Sequence, residues 1–300
     1  YCMLGEGTFG AAFLLHFKDR FEVLKIPKGL YRSDVEEYLE CLNQGLSERS
    51  KKFLDAKDKT VARENKRLIY NEKKLLRSIQ GAYGVIKLLP KGSNHEIFMP
   101  YESHLRFLDF ILERRALAFD LGGTSLLKYT KDCTTICKDI TRTMMESQDK
   151  GLMLHSDIKP DNVLVIANLD SIEGRLIDYS CAATKEMISS KAKVRLANGH
   201  VYVPPELYFG KRASLRPNEK SDVYSIGLML CRALSPDIEV YDQNCMILPG
   251  VFPYFQSLDC GKNIDTLLLN MVRATVSERY DMKTAYEHLI ELEKYFQSRL

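Results

Sequence analysis

No Cys-x-x-Cys pair occurs among the eight cysteines, Cys2, Cys41, Cys133, Cys137, Cys181, Cys231, Cys245 and Cys260. The commonest zinc-cluster spacing is therefore missing, and thiols scattered in this way point to buried free cysteines in a reducing compartment, with the cytoplasm as the expected location. No apolar stretch reaches the ~20 residues of a membrane span before a charge interrupts it. No charged-then-apolar leader opens the chain either. Charge of one sign is also scarce: 43 basic against 40 acidic side chains leave a formal +3, too little to make nucleic acid or a membrane surface the expected partner. Internal repeats and low-complexity tracts are lacking, which excludes solenoids and linker-like segments. What remains is 45% hydrophobic and 28% charged over 300 residues, the composition of an ordinary globular protein large enough for one big domain or two lobes with a cleft. Tyr1 rather than methionine stands first, so we expect a domain excised from a longer chain or a processed product.

The opening fifth alternates like strands: Met3-Leu4, Ala11 to Phe17, and Phe21 to Ile26, the last ended by Pro27. From Val35 the period becomes helical, with Val35, Tyr38, Leu39, Leu42 and Leu46 on one side. A second helix is expected from about Val61 to Ile79, where Leu68, Glu72, Leu75 and Ile79 share a stripe and so place one carboxylate among apolar residues. Gly81 and Gly84 close that helix, and Val85–Leu89 with Ile97–Met99 read as a hairpin across Gly92-Ser93-Asn94. Beyond Glu102 helical periodicity dominates, in Leu105–Leu112, Ile136–Leu154, Val223–Leu234, Ile264–Val272 and Tyr286–Phe296. Short strands at Val163–Ile166 and Arg175–Ile177 interrupt it. A strand-rich third followed by a helix-rich remainder predicts an α+β chain of two lobes joined near residues 100 to 103.

Gly5-Glu6-Gly7-Thr8-Phe9-Gly10 is a G-x-G-x-x-G turn between strands, in which missing Cβ atoms let backbone amides approach phosphate oxygens. A dinucleotide-binding turn would open a helix after its last glycine, whereas Ala11 to Leu15 reads as a strand; a plain glycine-rich bend remains an alternative. Lys25 follows fifteen residues later within Val23-Leu24-Lys25-Ile26. It is either a snorkelling surface lysine or the partner of an inward carboxylate, Glu72 being preferred over Glu64. The strongest signal is Leu154-His155-Ser156-Asp157-Ile158-Lys159-Pro160-Asp161-Asn162-Val163-Leu164, followed by Leu176-Ile177-Asp178-Tyr179-Ser180. Asp157, Asn162 and Asp178 supply one base and two oxygen ligands for Mg²⁺, which is what phosphoryl transfer requires; a polar loop capping two strands is the bland alternative.

Along its whole length the sequence resembles the eukaryotic-type protein kinases. Gly5, Gly7 and Gly10 match the family's glycine-rich loop, Lys25 its strand lysine, Glu72 its helix glutamate, and Asp157, Asn162 and Asp178 its catalytic and metal-binding positions. Pro204-Pro205-Glu206 looks like the Ala-Pro-Glu that ends the activation segment. Ser221 to Gly227 resembles the helix that anchors the catalytic loop, Arg279 is placed like the arginine that pairs with Glu206, and Met99-Pro100-Tyr101-Glu102 falls at the gatekeeper and hinge.

The resemblance implies a bilobal kinase fold. Residues 1–102 would form a small antiparallel-sheet lobe with one main helix plus an inserted helix at about 31–60, and residues 103–300 a large, mainly helical lobe with catalytic loop 155–162 and activation segment 178–206. ATP would lie in the cleft, bound through Gly5, Glu6, Gly7, Thr8, Gly10, Ala12, Lys25, Met99, Tyr101 and Leu164. Asn162 and Asp178 would hold Mg²⁺, or Mn²⁺ in its place. Lys25, Glu72, Asp157 and Lys159 would be the catalytic set, with Lys159 following the serine/threonine pattern. The partners implied are ATP and a protein substrate, with the insertion at 31–60 as a further partner surface.

Four departures stand out. Ser156 replaces the arginine before the catalytic aspartate, Tyr179-Ser180 replaces Phe-Gly, Pro204 replaces alanine, and Gly199 falls where serine/threonine kinases carry a threonine. Forty-six residues separate Lys25 from Glu72, a longer connection than usual. Two rival readings follow: a pseudokinase acting as an ATP-binding or scaffolding module, and a small-molecule phosphotransferase of related fold.

Overall fold

The three opening strands expected from the alternation are present and antiparallel. In the computed structural model they are β1 (Cys2–Glu6), β2 (Gly10–Phe17) and β3 (Arg20–Pro27), and β4 (Ile97–Pro100) completes a sheet of order β1-β2-β3-β4. The structure describes residues 2–6, 10–17, 20–27, 59–91, 97–100, 105–107, 123–167, 171–190, 202–208, 218–234 and 261–300. The insertion expected at about 31–60, with its helix from Ser33, therefore lies outside the described residues except at its last two positions. The chain divides into two units, residues 1–80 with 86–103, and residues 81–85 with 104–300.

In the first unit, strand alternation buries Ala11, Phe13, Leu15, Leu24 and Ile26 and sets Lys25 on the other face, opposite Ala12 on β2 and Ile97 on β4. Gly10 is required by packing: a Cβ there would lie 2.6 Å from the carbonyl oxygen of Ile26. Helix α1 (Lys59–Ser78) packs against β3. It buries Leu68, Ile69, Glu72, Leu75 and Leu76, with Ile79 just beyond its end, so the stripe read from the sequence is the buried one.

The expected hairpin is not formed. Val85 makes an isolated parallel bridge to Leu176, residues 86–91 form no strand, and β4 pairs with β3 instead. The side chain of Gln80 accounts for the difference. Its Nε2 donates to the carbonyls of Leu76 and Ile86, and its Oε1 accepts the N–H of Leu88, so the Ile86 carbonyl and the Leu88 N–H are satisfied without a strand partner.

The second unit begins with a further correction. Leu105–Phe107 is strand β5, paired with residues 164–166, rather than the start of a helix; three residues are too few to display a period, and residues 108–112 are outside the described set. Helix α2 spans Gly123–Asp149. It starts well before the expected Ile136 because its buried face is rich in threonine, which reads as polar. Thr134, Thr141 and Thr143 donate their hydroxyls to the carbonyls four residues back and so enter the core satisfied. The same helix ends at Asp149 rather than Leu154. Gly151, with φ of +97°, turns the chain into β6 (Leu152–Leu154).

Strands β7 (Val163–Ala167) and β8 (Ile172–Leu176) form a sheet of order β5-β7-β8, and β6 pairs with β9 (Ala183–Thr184). Helices α3 (Lys185–Ser189), α4 (Pro205–Tyr208), α5 (Ser221–Leu234), α6 (Gly261–Met271) and α7 (Met282–Arg299) follow. Helix α2 packs on α5, α7 and β8. Gly84 has φ of +67°, and a Cβ there would overlap the Thr143 hydroxyl of α2, so only glycine fits. Among the described residues Cys133, Cys137, Cys181 and Cys231 are buried and form no disulfide, and no helix is long and apolar enough to cross a membrane.

Candidate active site

Within the first unit, Lys25 meets its carboxylate. Its Nζ donates to both oxygens of Glu72 at 2.8 and 2.9 Å, which resolves the choice between Glu72 and Glu64 in favour of the buried residue; Glu64 is exposed. Glu72 is 3% exposed, so the ammonium offsets much of its desolvation. A second polar link runs beside this pair. Lys73, also buried, donates to the carbonyl of Lys91, and the Lys91 ammonium is ion-paired with the buried Glu22 of β3. The sequence reading overlooked Glu22, Lys73 and Lys91. Glu22 carried the same signal as Lys25, a charge embedded in an apolar strand.

The residues expected to bind the nucleotide in this unit are distributed along its strands. Gly5 and Glu6 lie in β1 opposite Ala12 and Ala11; Gly10, Ala12 and Lys25 lie in β2 and β3; Met99, half-buried, lies in β4 opposite Val23. Gly7, Thr8 and Tyr101 lie outside the described residues, as does Gly199.

The second unit builds the loop from His155 to Asn162. Its backbone leaves β6 through Ser156, whose φ of 68° is unfavourable for a residue with a side chain. Asp222, in the first turn of α5, accepts the N–H groups of His155 (2.6 Å) and Ser156 (3.0 Å) and so holds this conformation. Burial pushes the Asp222 carboxyl up to about 7, against the pull of those two hydrogen bonds, with the Glu206 carboxylate adding to the rise. His155 is fully buried. Its Nδ1 accepts the N–H of Asp157 at 3.3 Å, so the hydrogen sits on Nε2 and is donated to the carbonyl of Ile177 at 3.1 Å. The imidazole thus ties the loop to the strand end at Ile177. Tyr179 packs its ring edge-on against His155 at 4.7 Å, so the replacement of Phe by Tyr keeps an aromatic contact.

Asp157 is the centre of the loop. Its Oδ2 accepts from Asn162 Nδ2 at 2.9 Å and lies 3.2 Å from Lys159 Nζ. Asn162 Nδ2 also donates to the carbonyl of Asp157 at 2.8 Å. Only the amide nitrogen can donate to both oxygens, which orients the side chain and leaves its amide oxygen with no hydrogen bond from the described residues. Asn162 immediately precedes β7, and Asp178 lies two residues beyond β8. The register pair Val163–Leu176 and the Ile177 N–H donated to the Asn162 carbonyl tie these two strand ends together. One amide oxygen and one carboxylate at adjoining strand ends are hard oxygen ligands suited to Mg²⁺. Asp178 occupies the left-handed region (φ 61°), with its Oδ1 3.4 Å from the N–H of Ser180. Leu164, half-buried, lies in β7 opposite Phe107 and Arg175.

Glu206, in α4, is held from three directions: Arg279 Nη1 and Nη2 at 2.7 and 3.0 Å, and Ser221 Oγ at 2.8 Å. The sequence pointed to Glu206 with Arg279 but not to Ser221.

The family model described as "Protein kinase domain" matches residues 43–289. The chain belongs to this family. The match starts after the glycine-rich turn and Lys25, so those two features rest on the residues themselves. A probable leucine-rich repeat receptor-like protein kinase of Arabidopsis thaliana is 31% identical over 109 residues, 36% of this chain and 9% of the relative. A probable LRR receptor-like serine/threonine-protein kinase of the same plant is 29% identical over 52% of this chain and 28% of its own length. A serine/threonine-protein kinase of Myxococcus xanthus is 33% identical over 29% of this chain and 10% of its own length. The chain thus spans less than a third of each of these relatives.

Proposed function

We propose that this kinase domain transfers the γ-phosphoryl group of ATP to hydroxyl side chains of proteins, with serine and threonine as the preferred acceptors. The observation that carries the reading is the Asp157–Asn162–Lys159 constellation. A carboxylate is fixed by an amide whose oxygen remains available, and a lysine lies 3.2 Å from that carboxylate. In this reading Asp157 orients the attacking hydroxyl and accepts its proton. Lys159 neutralises charge developing on the transferred group, and its position two residues after Asp157 is the basis for favouring serine and threonine. Lys25, oriented by Glu72, and the backbone amides of the glycine-rich turn engage the phosphates. Asn162 and Asp178 would hold Mg²⁺, which supplies charge neutralisation across the phosphate oxygens when bound. The buried thiols support the further proposal that the domain works in a reducing compartment such as the cytoplasm.

The test is incubation with radiolabelled ATP, a panel of proteins and a panel of small hydroxylated metabolites, with phosphoamino-acid analysis of the products. Label on protein serine and threonine is expected. Transfer only to metabolites would replace the reading by a small-molecule phosphotransferase. Nucleotide binding with no transfer at all would replace it by an ATP-binding scaffold.

A further inference from the structure

Arg232 is the one residue of α5 that is not buried; every other member of this 14-residue helix is. Its Nε is nonetheless enclosed, and among the described residues it meets no hydrogen-bond acceptor and no carboxylate pairs with it. Its contact is the ring of Tyr202, whose centroid lies 5.5 Å from the guanidinium carbon. Arg279 shows what this unit otherwise does with a guanidinium. There Nε, Nη1 and Nη2 are satisfied by Glu206 and by the carbonyls of Lys220 and Arg273. Arg232 is instead half-buried, with its Nε unsatisfied and its guanidinium over an aromatic ring, an arrangement suited to an anion supplied from outside.

The placement relates that anion to the reacting group. Among the contacts of helix α5, three mark its length: Asp222 with the backbone of His155 and Ser156, Ser225 Oγ with the carbonyl of Tyr202 at 2.9 Å, and Arg232 with the Tyr202 ring. Ten residues at ~1.5 Å rise set Arg232 about 15 Å along the axis from Asp222. An extended peptide advances ~3.3 Å per residue, so about five residues cover that distance. Tyr202 itself is positioned by Ser225 and by its closeness in sequence to Glu206, which Arg279 anchors.

We propose that Arg232, with Tyr202 beneath it, binds an anionic side chain of the protein substrate lying within about five residues of the acceptor hydroxyl. The inference rests on the kinase reading and adds a substrate class to it. Aspartate or glutamate carboxylate and the phosphate of an already phosphorylated side chain share the required chemistry, and both match the bidentate fork.

The experiment uses one acceptor peptide in versions carrying alanine, glutamate, phosphoserine or lysine at single positions within five residues of the acceptor. Two readouts are taken on each: kcat/KM, and binding of the fluorescent peptide by anisotropy, which needs no turnover. At one or more positions the wild type favours glutamate or phosphoserine over alanine by about tenfold, equivalent to ~1.4 kcal/mol. Arg232→Gln removes the preference and Arg232→Glu transfers it to the lysine peptide, while the KM for ATP stays unchanged. The glutamate and phosphoserine arms separate a carboxylate reader from a phosphate reader. Absence of any acidic preference in the wild type overturns the inference even if Arg232→Gln fails to fold, and so does a preference that survives Arg232→Gln. Phosphorylation of all versions at equal rates sinks the inference and leaves the kinase reading. Arg232-dependent binding without phosphate transfer does the reverse.

Discussion

Lys25 Nζ lies 2.8 Å from Oε1 and 2.9 Å from Oε2 of Glu72, so one ammonium engages both oxygens of a carboxylate that is 3% exposed. Two consequences can be separated. In the proposed mechanism, loss of the cation removes a phosphate contact and is expected to lower phosphoryl transfer by at least ~10²-fold. It also strips the charge that offsets the burial of Glu72, at a cost on the order of 3–5 kcal/mol. Lys25→Met is therefore expected to lose both activity and stability, whereas Lys25→Met with Glu72→Met recovers most of the stability and none of the activity. Thermal unfolding and initial rates on the single and double variants check this. A double variant no more stable than Lys25→Met would refute the role of the pair.

Asp178→Ala is expected to weaken Mg²⁺-dependent nucleotide binding, because its half-buried carboxylate follows β8 at the strand end that the Ile177 N–H ties to Asn162, where a hard oxygen ligand is suited to the ion. Titration of Mg-ATP by calorimetry gives the answer, and an unchanged affinity counts against Asp178 as a ligand.

Glu206 and Arg279 present the opposite balance. Arg279 is fully enclosed, with 0% of its side chain exposed, and its guanidinium faces the ring of Tyr224 at 5.0 Å. Replacing either partner leaves a buried charge uncompensated, so Glu206→Ala and Arg279→Ala are each expected to lower stability by about 3–5 kcal/mol. Nucleotide affinity per folded molecule should hardly change. Melting temperatures equal to wild type in both variants would remove the pair from the account.

Asp222 gives the stability a pH signature. Its carboxyl titrates near 7 in the folded chain and near ~3.9 when unfolded, so between those values the folded state holds a proton that the unfolded state has released. The contribution of this group is then complete below pH ~4 and is lost as pH rises through about 7. Asp222→Asn cannot titrate. The difference in melting temperature between wild type and Asp222→Asn, followed from pH 4 to 8, should move against the wild type as pH rises and level off above 7. A difference that stays flat would place the carboxyl elsewhere on the pH scale.

Much of the fold was legible because its periodicities were long. Helix α1 announced itself through a stripe that held Glu72 among leucines, and β2 and β3 through uninterrupted alternation. Legibility failed where polarity misreported burial. The threonines of α2 read as surface positions, yet their hydroxyls are spent on the helix's own carbonyls. It failed again where segments were shorter than one period, as in Leu105–Phe107, or where a side chain replaced a strand partner, as Gln80 does for residues 86 and 88. Within the candidate site, the Lys25–Glu72 pair could be read because a charge set among apolar strand residues must be paired or put to chemical use. Supporting residues could not. Ser221 on Glu206 and Lys91 on Glu22 are contacts across 15 and 69 residues of sequence, and no local pattern encodes them.

Ser156 separates this site from kinases that carry arginine before the catalytic aspartate. In those kinases the arginine binds a phosphate on the activation segment and so couples segment ordering to catalysis. Ser156 has no charge, is buried, and its Oγ meets no hydrogen-bond partner among the described residues. The loop it belongs to is instead fixed from within the unit, by Asp222 on the backbone of His155 and Ser156 and by Asn162 on Asp157. Thr184 is already engaged as the cap of α3, its Oγ1 accepting the N–H of Met187 at 3.1 Å. Ser189, Ser190 and Tyr202 remain modifiable, and Lys185 is a cation near the first two in sequence. We therefore expect activity that does not require phosphorylation between Asp178 and Glu206. The domain is expressed with a phosphatase, its segment is verified as unmodified by mass spectrometry, and initial rates on an exogenous substrate are taken before autophosphorylation accumulates. Full activity from the first turnover is the expected result. A lag abolished by prior phosphorylation, or a rise of about tenfold, equivalent to ~1.4 kcal/mol in the barrier, would show that a phosphate reaches this loop by a route other than Ser156.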